Sequence, residues 1–170
     1  MDTYSSVSFL LKRDGSGDRM IREDYEYIKA KLRRVRDLKG KKKLKQAIEE
    51  LVKVMDDFPN ESFIMTEYAD CLRLNGNLDE AKTLAVDALE RAPDNQKGHM
   101  VLGNIYLEER SYERALDHFE TAARIKRTGY VILRIIRALI DLERFDDAKD
   151  LIREELIGSP NNPVILKYKA

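Results

Sequence analysis

The chain of 170 residues has one cysteine, no tryptophan, four prolines and eight glycines. A single thiol, Cys71, excludes an intramolecular disulfide framework and the small secreted scaffolds that depend on one. So little glycine and proline excludes collagen-like and low-complexity chains. No run approaches the roughly 18 apolar residues that a membrane-spanning helix needs. Near the start only Val7 to Leu11 is apolar; Asp2 precedes it and no small-residue cleavage site follows, so it does not read as a secretion signal. The expected setting is the cytoplasm. Reaction motifs are missing as well: there is no Cys-x-x-Cys, His-Glu-x-x-His, P-loop or glycine-rich phosphate motif. No catalytic residue, metal site or cofactor is therefore expected.

What the chain does have is charge, helical periodicity and repetition. Hydrophobic residues make up 43% and charged residues 36%, a balance that suits a mostly helical protein. The stretch Gly76-Asn77-Leu78-Asp79-Glu80-Ala81 comes back in reduced form as Leu44-Lys45-Gln46-Ala47, Tyr112-Glu113-Arg114-Ala115 and Phe145-Asp146-Asp147-Ala148. The alanines fall 34, 34 and 33 residues apart, and twelve residues after three of them stand Pro59, Pro93 and Pro160. A fixed period near this length marks a stacked repeat, whose units cannot bury an apolar face alone.

Apolar spacing predicts helices at 23–38 and 42–57, with Gly40 breaking the chain between them. Further pairs are predicted at 62–74 and 78–91, at 96–109 and 112–125, and at 129–142 and 145–157. A helix start follows at Pro163. Gly76 supplies the turn in the second pair, Asn77 with Glu80 reads as a capping box, and Ser111 as an N-cap. Units are placed at about 26–61, 62–95, 96–128 and 129–162, with a terminal helix at 163–170. Residues 1–22 read as a flexible tail.

This pattern resembles the tetratricopeptide repeat family. Ala69 with Ala81 and Gly103 with Ala115 stand where that family places small residues between paired helices, and Tyr106, Tyr112 and Phe119 where it places large interlocking ones. Pro59, Pro93 and Pro160 match its terminal proline. The resemblance implies an all-α fold: a right-handed superhelical array of antiparallel helix pairs. Three departures stand out. Arg127 replaces a proline, and Ile136 replaces a small residue opposite Ala148, which predicts a splayed pair at 129–157. Arg34 and Val35 break the pattern in the first unit, which is expected to cap the stack.

The resemblance further implies a non-enzymatic scaffold that holds a peptide or helix of a partner protein in a concave groove lined by the first helix of each unit. The lining residues would be Phe63, Thr66, Asp70 and Arg73, then Lys97, Met100, Asn104 and Leu107, then Tyr130, Leu133 and Arg137. The carboxylate clamp of the chaperone-binding members is not reproduced. Its positions hold Thr66, Asp70, Val101, Tyr130 and Arg134, where only Arg134 agrees and Asp70 would repel the ligand.

Residues 29–45 carry ten cations against Asp37 alone, a local charge of +9 in a chain of zero net charge. Arg33, Arg34, Arg36, Lys41, Lys42 and Lys43 are the candidate anion-binding residues. The alternative function is thus an adaptor for nucleic acid or an anionic membrane surface; nucleic acid is disfavoured because no aromatics are interleaved for stacking. His99 and His118 align with apolar residues of other units and are expected to pack at helix contacts. Cys71 is expected to be a small core residue. The last helix ends with Val164, Ile165 and Leu166 uncovered, so the chain is read as a fragment of a longer protein or as one that self-associates through that edge.

Overall fold

The structure, a computed structural model, describes residues 22–158. The expectations for the tail (Arg22 apart), Pro160, the helix at 163–170 and its apolar edge lie outside the described residues. All regular structure among the described residues is α-helical, and the chain divides into two compact units that meet at Asp57–Phe58.

The first unit is one helical hairpin, α1 (Arg22–Gly40) and α2 (Leu44–Asp57). Ile28, Leu32, Val35 and Leu38 of α1 and Ala47, Leu51 and Val54 of α2 are buried, at the three- and four-residue spacing of one helix face. Arg34, which broke the sequence pattern, points instead at the nearly buried Glu50: its Nη2 lies 3.2 Å from that carboxylate and Lys31 donates to it at 2.9 Å. The Lys31 hydrogen bond holds the Glu50 carboxyl below the usual carboxylate range, against the opposing effect of desolvation.

The second unit holds three hairpins: α3 (Ser62–Leu74) with α4 (Leu78–Arg91), α5 (Gln96–Glu108) with α6 (Tyr112–Ile125), and α7 (Gly129–Asp141) with α8 (Phe145–Gly158). Each helix packs on the next in sequence, and α3 also packs on α5. Ala69, Ala81 and Ala85 are fully buried between α3 and α4, and Cys71 is buried beside them on α3. The later hairpins share an apolar cluster centred on Phe119, Ile132, Ile136 and Leu139.

All four hairpins turn by one device. Lys42, Gly76, Arg110 and Glu143, spaced as the repeat is spaced, take positive φ angles of 57°, 90°, 58° and 59°. In each turn that residue's N–H donates three residues back and the next N–H donates five back, as Gly76 to Arg73 and Asn77 to Leu72 do, both at 3.0 Å. These paired bonds satisfy the last carbonyls of the first helix. The structure corrects two expectations here. Gly40 does not break α1, which runs through it; Lys42 makes the turn. Asn77 occupies the N-cap position of α4 without a side-chain cap, because its Oδ1 accepts from Asn75 Nδ2 at 2.8 Å instead. Ser111 likewise stands at the N-cap of α6 without a side-chain bond. Working caps come from Asn95, which accepts from the Gly98 N–H at 3.1 Å, and Thr128, which accepts from Val131 at 3.3 Å.

The middle hairpin depends on Gly103. A methyl group built there would lie 2.4 Å from the Phe119 ring, whereas Ile136 and Ile152 fill the matching positions of α7 and α8. The backbones of α7 and α8 accordingly run close over much less of their length than those of α5 and α6. The overpacked contact is relieved by separation of the helices. Gly103→Ala is expected to destabilise the protein by about 1–3 kcal/mol, and Phe119→Leu in the same chain to recover part of that loss. Urea unfolding of the single and double variants measures both, and strict additivity would show that the two residues do not compete for space.

Candidate functional site

The expected lining residues divide into three groups once placed. Thr66, Met100 and Asn104 are buried, so they support the surface of the first helices rather than lie open on it. The Thr66 hydroxyl donates to the Ser62 carbonyl and accepts from Asn95 Nδ2 at 3.0 Å, tying α3 to the start of α5. Asn104 is different: its Oδ1 has no hydrogen-bond partner, a cost of about 1–3 kcal/mol for a buried acceptor.

The charged members are engaged within the chain. Arg73 donates to Asp70 at 2.9 Å and to Glu108 at 2.5 Å, joining α3 to α5. Lys97 pairs with Glu67, a second α5–α3 link, and Lys82 reaches Glu109 at 2.8 Å from α4. Arg137 pairs with Asp141 one turn on at 2.8 Å. Sequence reasoning could have found Asp70–Arg73 and Arg137–Asp141, which have helical neighbour spacing. Glu67, Glu108 and Glu109 were missed because their partners stand in other helices.

The third group is apolar or aromatic. Phe63, Leu107 and Leu133 are half-buried, the last two packing on the shared cluster. Tyr130 is 54% exposed. Arg134 fixes it, with the guanidinium 5.0 Å from the ring centroid and Nη2 donating to the hydroxyl at 2.8 Å. The structure thus joins the α3 and α5 residues by ion pairs, and those of α5 and α7 by apolar packing.

In the first unit the basic segment is mostly solvent-facing. Lys31 and Arg34 pair with Glu50, Lys41 with Asp37 at 2.8 Å, and Arg36 and Lys39 also have interactions within the chain. Arg33, Lys42, Lys43 and Lys45 are exposed and enter no ion pair among the described residues. The first turn of α2 holds no acid, whereas α4, α6 and α8 each begin with one or two.

The two histidines do pack at a helix contact, and they do so against each other. His99 Nε2 lies 3.0 Å from the Pro93 carbonyl, which can only accept, so that nitrogen carries the proton. His99 Nδ1 is then an acceptor, and His118 Nδ1 donates to it at 3.0 Å. His118 also stacks on Tyr106, whose ring carries Lys82 and Arg114 over it. Among the described residues no group of three or more His, Cys, Asp or Glu is placed to hold a metal ion. No described helix is long and apolar enough to cross a membrane.

Helical hairpins closed by one shared turn are the units from which α-solenoids of short repeats are built. Residues 69–129 match the tetratricopeptide repeat family model, the family whose pattern the sequence resembles. Solved structures extend the fold beyond it. A thermophilic tetratricopeptide repeat protein of Thermus thermophilus is similar at 15% identity and a TM-score of 0.70, over 79% of this chain and 75% of that one. MamA from Desulfovibrio magneticus is similar at 13% identity and 0.68, over 83% and 80%. YrrB, described as a tetratricopeptide repeat protein with an unusual peptide-binding site, is similar at 21% and 0.60, over 68% and 60%. No curated protein matches the chain. The fold is a general scaffold for protein–protein interaction, and proteins that carry it are generally non-catalytic.

Burial first, and the neighbouring His99 second, hold the His118 pKa below its ordinary value, while Asp117 pulls the other way. A depressed pKa in the fold means stability that is present above the unfolded value of about 6.5 and lost as pH falls through the folded one. His118→Leu, the residue at the matching positions 84 and 151, should flatten that acid limb in urea unfolding measured across pH. Equal slopes for the two proteins would show that His118 does not contribute to it.

Proposed function

We propose that the exposed face of α3, α5 and α7 binds an extended peptide or a helix of a partner protein. The observation that carries this reading is Tyr130, a large aromatic held outward by Arg134 beside the half-buried Leu133. Folding asks for no such arrangement on a solvated helix, whereas a rigid aromatic with an adjoining cation is a common anchor for a partner. Leu107 and Phe63 extend the apolar strip, and Asn104 Oδ1 offers an unsatisfied acceptor beneath it. Asp70, Arg73, Lys97 and Arg137 already have partners in the chain, so in this reading they frame the strip. The protein acts in this reading as a scaffold and not as a catalyst. A reducing cytoplasm suits its single, buried thiol at Cys71.

Peptides selected from a displayed random library against the full chain test the reading. Tyr130→Ala should weaken the selected peptides by about tenfold or more, as expected for loss of an anchor residue. Lys149→Ala, on the exposed side of α8, should leave them unchanged. Peptides that bind both variants equally would place recognition elsewhere.

A further inference from the structure

The four hairpin turns share one backbone geometry, which makes each a control for the others. The turn at 39–45 carries five lysines and no acid; the matching turn at 73–79 carries one cation and one acid, and those at 107–113 and 140–146 carry one cation and three acids each. The geometry therefore does not require the lysines. Gly76 makes the turn without strain or charge, whereas Lys42 holds a positive φ in the same place. Five like charges in one turn repel, and cations at the start of α2 oppose its helix dipole. Arg33, Lys42, Lys43 and Lys45, all exposed, make no ion pair among the described residues to offset this.

We propose that the α1–α2 turn docks on the headgroups of an anionic lipid bilayer. Lys41, Lys42, Lys43 and Lys45 are exposed together at one end of a hairpin, and Arg33 lies only about 10 Å behind the turn along α1, within about one screening length of it. The turn is built from lysines, compact point charges suited to a diffuse anionic surface rather than to forked recognition of single phosphates. It holds no aromatic side chain for stacking on bases. Its one apolar residue, Leu44, is half-buried, so the contact is electrostatic and salt-reversible rather than inserted. This surface belongs to the first unit and shares no residue with the peptide-binding face.

Co-sedimentation of the full chain with vesicles tests the proposal. Vesicles of phosphatidylcholine mixed with phosphatidylserine should carry the protein down at low salt and release it at high salt; phosphatidylcholine alone should not bind it. The triple variant Lys42→Gly, Lys43→Gln, Lys45→Gln leaves the Lys41–Asp37 and Glu50 pairs in place. At about 1 kcal/mol for each lysine near the surface it should bind roughly a hundredfold more weakly, with unchanged helix content by circular dichroism. Equal binding to neutral vesicles, or full binding by the folded triple variant, would overturn the proposal. So would capture by duplex nucleic acid of a chain that ignores the vesicles.

Discussion

The structure depends on how closely two helix backbones can approach within a hairpin. In α3–α4 that contact is made by Ala69, Ala81 and Ala85, and no large side chain is needed. In α5–α6 the first helix shrinks to Gly103, and the space is taken by Phe119 from the second. Small and large residues thus trade places across the seam while the close approach is kept, as dense packing requires. In α7–α8 both sides carry isoleucine, at 136 and 152, and the backbones draw apart. A small residue on at least one side of the seam keeps successive hairpins alike; where both sides carry a large one, the repeat loses its regularity.

Polar groups on the first helices then fix the surface that the packing creates. Arg73 holds Asp70 and Glu108, and Lys97 holds Glu67, so the charges between α3 and α5 are largely spent on one another. Such surface pairs add little stability individually, but they set the register of neighbouring helices and leave few free charges on that strip. Lys97 and Arg137 stay exposed within their pairs, and Tyr130 stays exposed near the half-buried Leu133. The fold therefore presents a mostly neutral strip in the second unit and a concentrated cationic turn in the first, and these suit different classes of ligand.

The His99–His118 pair shows how a repeat position acquires a new property. The matching positions hold Met65 and Ile132, and Leu84 and Leu151, so the site was built for apolar contact. Two imidazoles in that setting must share one proton between facing nitrogens, which gives the α5–α6 seam a sensitivity to acid.

Among the described residues, the helices, most of their bounds and the period of the hairpins were legible in the sequence because they rest on local rules. A 34-residue recurrence of alanine, apolar spacing of three and four, and proline at unit ends each act within a few turns of chain, and the bounds of α3, α4 and α6 came out as observed. Even the open α7–α8 pair followed from one misplaced isoleucine. The errors arose where a side chain chooses between partners. Asn77 bonds its neighbour Asn75 instead of capping, and Lys42 turns the chain where Gly40 seemed the better candidate. Thr66, Met100 and Asn104 were expected on an open face and lie beneath it. Cross-repeat pairs such as Glu67–Lys97 and Arg73–Glu108 were invisible for a related reason: sequence period places residues on a face, but only packed helices decide which charges come within reach. The sequence by itself determined the repeat and the basic segment. Tertiary structure alone decided which of the residues left free by the repeat are paired, which are buried and which remain open to a partner.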